Sequence, residues 1–267
     1  VNSTIACALT ASKCGIKVAH VEAGLRSFDW TMPEEINRIL TDRISHFHFV
    51  TEASGVRNLK REGHSRSIYL VGNVMVDTLL RMRPKAEKLA TYVKFGVEPK
   101  TYAYLTLHRP SNVDDHTVLG QIMEHVLWTA QKLPVIFAVH PRTRKSLEAM
   151  NAKTRQGANP RLIMVEPQGY LESLSIMLHS KVVITDSGGM QEETTALNIP
   201  CLTLRDNTER PITIEQGSNT LIKGDWKIFR RCIEKLANDK SRTRKEKILY
   251  WDGKTGGRIL RILEKSV

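Results

Sequence analysis

Short apolar, β-branched runs alternate with helix-like stretches along almost the whole chain. Ile16-Lys17-Val18-Ala19-His20-Val21-Glu22, Phe47-His48-Phe49-Val50 and Ser67-Ile68-Tyr69-Leu70-Val71 read as strands. Three helical stretches accompany them, one before the first strand and one in each gap. The first, Ala-rich and ending at Cys14, is closed by Gly15. The second, Met32 to Ile44, opens on Pro33 with acids in its first turn, and the third, Ser54 to Glu62, is closed by Gly63. Residues 81–100, charged and flanked by prolines, read as a break. A second series follows, with strands at Tyr102 to Leu107, Val135 to Val139, Leu162 to Val165, Val182 to Thr185 and Cys201 to Leu204. Its helices are Val118 to Lys132, Tyr170 to Ser180 and Met190 to Leu197. The tail reads as helices over 225–238 and 255–264. Strands alternating with helices predict α/β units with parallel sheets.

In the second series the strands deliver polar clusters at their carboxyl ends, where open α/β sheets bind ligands. These are His108-Arg109-Pro110, His140-Pro141-Arg142, Asp186-Ser187-Gly188-Gly189 and Arg205-Asp206-Asn207-Thr208-Glu209-Arg210. The third is the most telling. Two glycines between a strand and a helix let a ligand approach the backbone, and the first N–H groups of a helix suit a phosphate. Asp-Ser-Gly-Gly is also similar to the nucleophile segment of trypsin-like proteases, but a helix follows here and no Gly-x-Ser-x-Gly elbow is present.

Composition narrows the class. With 267 residues, 41% of them apolar, the chain can bury a substantial core. No run of about 18 apolar residues and no signal-peptide pattern occurs, so a cytoplasmic protein that does not span a membrane is expected. Cys7, Cys14, Cys201 and Cys232 form no C-x-x-C pair and are expected to be reduced core thiols. Of the formal net charge of +12, residues 223–267 carry +8, from 14 Lys and Arg against 6 Asp and Glu. That placement reads as a solvated basic helical face, and nucleic-acid binding is not expected. His46 and His48 share a strand face, but without a third ligand cluster no metal site is expected.

His20-Val21-Glu22-Ala23-Gly24-Leu25-Arg26, Met32-Pro33-Glu34-Glu35-Ile36-Asn37-Arg38, Leu107-His108-Arg109-Pro110, His140-Pro141-Arg142, Asp186-Ser187-Gly188-Gly189 with Gln191-Glu192-Glu193, and Arg205 to Pro211 are six ordered motifs. Together they closely resemble the non-hydrolysing UDP-N-acetylglucosamine 2-epimerases, from the first residue to about Gly224 and more weakly beyond. The resemblance implies a GT-B architecture: two Rossmann-like domains with parallel sheets facing across a cleft, and a C-terminal helix returning to the first. Residues 1–84 with helix 252–267 would form the first domain, and residues 85–251 the UDP-binding second. It implies interconversion of UDP-N-acetylglucosamine and UDP-N-acetylmannosamine for surface polysaccharides, with no cofactor or metal, by a homodimer. On this resemblance the first domain is incomplete at its N-terminus, by roughly 90 residues if three βα units of about 30 residues precede Val1. The family's catalytic aspartate would fall just before Val1, and the chain alone is expected to be inactive.

The chemistry asks for carboxylates around the sugar. As UDP leaves C1, the C2 proton becomes acidic; elimination gives a glycal, and the proton must then return to the opposite face. By resemblance Glu22 and Glu34 are catalytic, with the choice of base open, and His108 lies near the leaving diphosphate, where an imidazole can donate. Ser187, Gly188, Gly189 and Arg210 would hold the diphosphate, Glu193 the ribose hydroxyls, and Arg38 the substrate. Arg109 and His140 resemble residues linked to a second, activating UDP-N-acetylglucosamine. Read without the resemblance, Glu22 could instead be a partner of Arg26 or Arg38, Glu34 a helix N-terminal charge, His108 a capping group and Glu193 a solvated helix residue. A related UDP-2,3-diacetamido sugar as substrate, or a GT-B glycosyltransferase, are the alternative functions.

Overall fold

Every β-strand among the described residues lies in one of two parallel sheets. The structure is a computed structural model that describes residues 2–150, 159–222, 224–238 and 247–266. Two units emerge: Val1–Arg81 with Thr208–Gln216 and Lys247–Val267, and Met82–Asn207 with Gly217–Glu246.

In the first unit β1 (Ala19–Ala23), β2 (Phe47–Val50) and β3 (Ile68–Leu70) pair in that order, joined by the Pro33–Ile44 and Ala53–Arg61 helices. Parallel neighbours require such crossovers. Successive residues of the central strand serve opposite faces. Val50 packs with Ala23 and Leu59, while Phe49 packs with Val71 and with Ile259 of the Thr255–Glu264 helix. That helix is fixed at its start by Asp77, whose Oδ1 accepts from Thr255 N at 3.1 Å and Oδ2 from Gly256 N at 2.8 Å. A carboxylate on those first N–H groups both caps the helix and opposes its dipole.

In the second unit β4 (Ala103–Leu107), β5 (Val135–Val139), β6 (Leu162–Val165), β7 (Val182–Thr185), β8 (Cys201–Thr203) and β9 (Asn219–Leu221) form a sheet of order β6-β5-β4-β7-β8-β9. This is the strand order of dinucleotide-binding folds. The progression reverses between β4 and β7, and ligands of such sheets bind beside that reversal, beyond the strands' carboxyl ends. Helix and sheet close over one apolar core that includes Leu105, Phe137, Ile184, Ile122 and Phe229.

The α/β class with parallel sheets is the expected one. Several local expectations change. Residues 81–100 do hold the division between the units, at Arg81 and Met82, but are largely helical: a helix runs Val74–Leu89 through Pro84, and a 3-10 turn covers Thr91–Phe95. Buried Leu79 and Ala86 anchor the helix on both sides of the proline, which outweighs the lost backbone bond. Helices at Pro110–Val113, Pro141–Ala149 and Ile212–Glu215, and strand β9, were not foreseen. Thr208–Gln216 and Lys247–Trp251 fall in the first unit, although the sequence reading put them in the second domain. Cys7 and Cys14 are exposed rather than core thiols; only Cys201 is buried. Of the basic tail, Lys223, residues 239–246 and Val267 lie outside the described residues. No helix among those described is long and apolar enough to cross a membrane.

Candidate active site

In the second unit the reversal between β4 and β7 is occupied by Asp186, the first residue after β7. Its carboxylate is fully buried and accepts from Arg109 N at 2.9 Å, His108 N at 3.1 Å and Asn112 Nδ2 at 3.1 Å. The His108 imidazole Nδ1 lies 3.1 Å from the same carboxylate. Burial alone would raise the Asp186 pKa. The hydrogen bond and charge of His108, with donors from Arg109 and Asn112, outweigh it and hold the carboxyl below its ordinary value. Arg109 Nε donates back to Asp186 O at 2.9 Å. The His108 ring, 43% exposed, lies 5.9 Å from that of His140, which caps the Pro141–Ala149 helix by accepting from Arg142 N at 3.2 Å.

Ser187 caps the Gly188–Ala196 helix through Oγ, which accepts from Met190 N at 3.4 Å. Gly188 and Gly189 form the helix's first turn with ordinary negative φ. A Cβ on Gly189 would meet only Ser187 Oγ, 3.9 Å away. The protein's own packing therefore does not require a glycine there, although glycine in a helix costs about 1 kcal/mol relative to alanine. The turn leaves its N–H groups approachable, as an anion needs. One turn further, Glu193 is buried, not solvated, and accepts from Tyr170 Oη at 3.1 Å. Burial raises its pKa, and the Tyr170 hydrogen bond only partly offsets that.

In the first unit the β1–β2 register shifts between Val21 and Ala23, and Glu22, at the bulge, has φ +70°. A bulge re-aims a side chain, and a non-glycine residue in left-handed backbone is strained. Glu22 Oε2 lies 3.9 Å from Arg210 Nη2, whose Nη1 is hydrogen-bonded to Glu209. Neither Arg26 nor Arg38 forms the ion pair with Glu22 that the alternative reading offered. Arg26 pairs with Asp42 at 2.7 Å and Glu62 at 2.6 Å, and Arg38 with Glu35 at 2.7 Å. Glu34 is exposed in the first turn of the Pro33–Ile44 helix.

The loop after β1 is held from several sides. Asp42 Oδ2 accepts from Gly24 N at 3.1 Å, and Asn58 Nδ2 donates to Gly24 O at 2.9 Å. Gly24, at φ +79°, abuts Gly55 so closely that a Cβ would lie 2.4 Å from Gly55 O. Fully buried Glu35 accepts from Ser27 N at 2.9 Å and Phe28 N at 2.9 Å. Sequence reasoning missed the holding roles of Asp186, Glu35 and Tyr170. Asp186 and Glu35 sat inside recognised motifs, beside the residues chosen, but an acid that holds backbone and one that touches a ligand look alike in sequence. Among the described residues no three or more His, Cys, Asp or Glu side chains cluster to hold a metal ion.

A profile of the UDP-N-acetylglucosamine 2-epimerase family matches residues 1–264. The chain belongs to that family. It is 43% identical to the UDP-N-acetylglucosamine 2-epimerase of Methanocaldococcus jannaschii, over 98% of this chain and 72% of the relative. With the UDP-2,3-diacetamido-2,3-dideoxy-D-glucuronate 2-epimerase of Pseudomonas aeruginosa the identity is 37%, over 99% and 72%. The crystal structure of the Methanocaldococcus jannaschii epimerase in complex with UDP-GlcNAc and UDP superposes with a TM-score of 0.88 at 43% identity, covering 99% of this chain and 74% of that one. The family's motifs fall on both units: the HVEAGLR and PEEINR segments on the first, the HRP, HPR and DSGG segments on the second.

Proposed function

We propose that this epimerase interconverts UDP-N-acetylglucosamine and UDP-N-acetylmannosamine by elimination and re-addition. The C2–H bond breaks as the C1–O bond to UDP breaks, giving a 2-acetamidoglucal and UDP; UDP then re-adds at C1 while a proton enters C2 from the opposite face. The observation that carries the reading is Glu22: an acid on a strained bulge, partly exposed, with the Arg210 guanidinium 3.9 Å away. A fold tolerates such backbone where a side chain must be aimed.

The roles follow from chemistry. Glu22 and Glu34 move the C2 proton, with Arg38 placing the substrate. His108 donates toward the departing diphosphate, and Arg210 adds a fixed cation for it. Ser187, Gly188 and Gly189 receive phosphate oxygens at the helix start, and buried Glu193 accepts the ribose hydroxyls. Arg109 and His140 contribute to a second, activating UDP-N-acetylglucosamine; sigmoidal kinetics that become hyperbolic in Arg109→Ala would support that role, and unchanged kinetics would remove it. The enzyme is read as a cytoplasmic homodimer, which light scattering tests for the assembly. Identity is higher to the Methanocaldococcus jannaschii enzyme than to the diacetamido-glucuronate enzyme, which favours the N-acetylglucosamine substrate.

Proton NMR in deuterated buffer tests the reaction in the intact protein. Deuterium at C2 of both epimers is expected with UDP-N-acetylglucosamine. Exchange only with a UDP-2,3-diacetamido sugar would reassign the substrate, and sugar transfer to an acceptor without C2 exchange would sink the epimerase reading.

A further inference from the structure

Asp42, on the last turn of the Pro33–Ile44 helix, is fully buried and belongs to none of the family motifs described above. Its carboxylate grips the chain on both sides of Glu22. Oδ1 lies 2.6 Å from the Nδ1 of His20, two residues before Glu22, and Oδ2 accepts at 3.1 Å from the N–H of Gly24, two residues after it. The same Oδ2 lies 2.7 Å from Arg26 Nη2, whose guanidinium is also held by Glu62 at 2.6 Å. Burial alone would raise the Asp42 pKa, but His20 and Arg26 outweigh it and hold the carboxyl below its ordinary value. An ionised carboxylate only accepts, so His20 Nδ1 carries the hydrogen. Asp42 is pinned through its backbone as well: its carbonyl lies 2.9 Å from Nε2 of His48, the residue opposite His20 on β2.

We propose that Asp42 is a positioning residue for the reaction: it brackets the bulge through His20 and Gly24 and thereby fixes the Glu22 carboxylate. Asp42 itself touches no reacting atom. The register shift between Val21 and Ala23 interrupts the β1–β2 ladder at Glu22, and left-handed backbone at a glutamate persists only where its surroundings over-determine it. Asp42 supplies that hold from outside the sheet. It also rides on the helix that carries Glu34 in its first turn, about 12 Å away along the axis, so one buried charge ties the strand of one acid to the helix of the other. This inference rests on the epimerase reading.

The test compares wild type, Asp42→Asn, His20→Leu, His20→Asn and Asp42→Asn/His20→Leu in the intact protein. C2 deuterium exchange gives kcat and KM, and the stoichiometry of UDP binding in calorimetry gives the folded fraction. Per folded molecule, Asp42→Asn and His20→Leu are each expected to lower kcat about 10- to 100-fold with KM changed less than about threefold, since a small misplacement of a reacting group is costly. His20→Asn, whose side-chain amide can donate in place of Nδ1, should keep most of kcat. The double variant should lose no more than about twofold beyond the worse single one, because residues acting through one another are not additive. Losses that vanish on correction for the folded fraction, additive losses, or a His20→Asn as slow as His20→Leu would overturn the proposal. If Asp42→Asn does not fold, His20→Leu against His20→Asn carries the comparison. Amide hydrogen exchange across residues 20–24 should quicken in His20→Leu and not in His20→Asn, whatever the reaction. A wild type that shows this pattern but no C2 exchange would refute the epimerase reading and leave the bracket standing, so the two failures are distinct.

Discussion

Asp186 holds His108 twice, through the backbone N–H at 3.1 Å and through the imidazole Nδ1 at 3.1 Å. Because the depressed Asp186 pKa keeps the carboxylate ionised, it can only accept, so Nδ1 carries the hydrogen. Nε2 is then the atom left to meet a ligand. The two residues follow neighbouring parallel strands at the reversal of strand order, so one buried charge joins the carboxyl ends of β4 and β7.

Asp186→Asn should therefore unfold more easily, by about 2–4 kcal/mol in urea titrations at neutral pH, since an amide turns N–H groups toward donors it must accept from. The pH dependence has a definite sign. The folded pKa is depressed, so the stabilisation is complete above the unfolded value near 3.8 and fades as pH falls below it toward the folded value. Asp186→Asn should lack that acid-limb loss. Parallel acid limbs in the two proteins would contradict the assignment.

Glu22 is strained by its own backbone, and glycine would relieve that strain. Glu22→Gly is expected to be as stable as wild type or more so, by up to about 1 kcal/mol, while losing C2 exchange almost entirely. The ion contact given up, at 3.9 Å and partly exposed, contributes little. A clear drop in melting temperature would show that the left-handed conformation at Glu22 carries no strain worth relieving.

For Glu193 the informative ligand lacks the ribose hydroxyls. Wild type should bind UDP about 10- to 100-fold more tightly than 2′,3′-dideoxy-UDP, because a site built for hydroxyls penalises their absence. Glu193→Ala should bind the two alike in calorimetry. Retained discrimination would place the hydroxyls elsewhere.

Periodicity made most of the sheets legible. Val135 to Val139 and Val182 to Ile184 are continuous apolar runs because both faces of those strands are buried. Strand β9 was not legible: Asn219-Thr220-Leu221 has no apolar run, and what fixes it is distant. Asn219 Oδ1 accepts from Thr203 Oγ1 at 3.0 Å, and its Nδ2 donates to Gln191 O at 2.9 Å. The helix at 141–149 did carry a signal, a histidine cap followed by Pro141, but with Leu147 as its one buried large apolar side chain it has almost no stripe to read. The site divides similarly. Motif spacing marked Glu22, Ser187 and Glu193, whereas the division between Glu34, exposed, and Glu35, buried against the 27–28 backbone, depends on where the loop after β1 lies.

Glu52 offers a stability test that needs no substrate. Burial, only partly offset by Ser54, Arg210 and the Ile212 N–H, raises its pKa from 4.5 to about 7. A folded pKa above the unfolded one means the contribution to stability is fully present below pH 4.5. Between there and about pH 7 the unfolded chain releases the proton while the folded protein keeps it, so stability falls. At about 1.4 kcal/mol per pH unit the loss is about 3 kcal/mol. Glu52→Gln cannot titrate, and the other ionisable groups are common to both proteins, so they cancel in the difference. Urea titrations from pH 4 to 8 should show the stability of Glu52→Gln minus that of wild type rising by about 3 kcal/mol, most of it between pH 4.5 and 7, whatever the offset at pH 4. A flat difference would mean that Glu52 ionises like an exposed glutamate despite its burial just beyond β2.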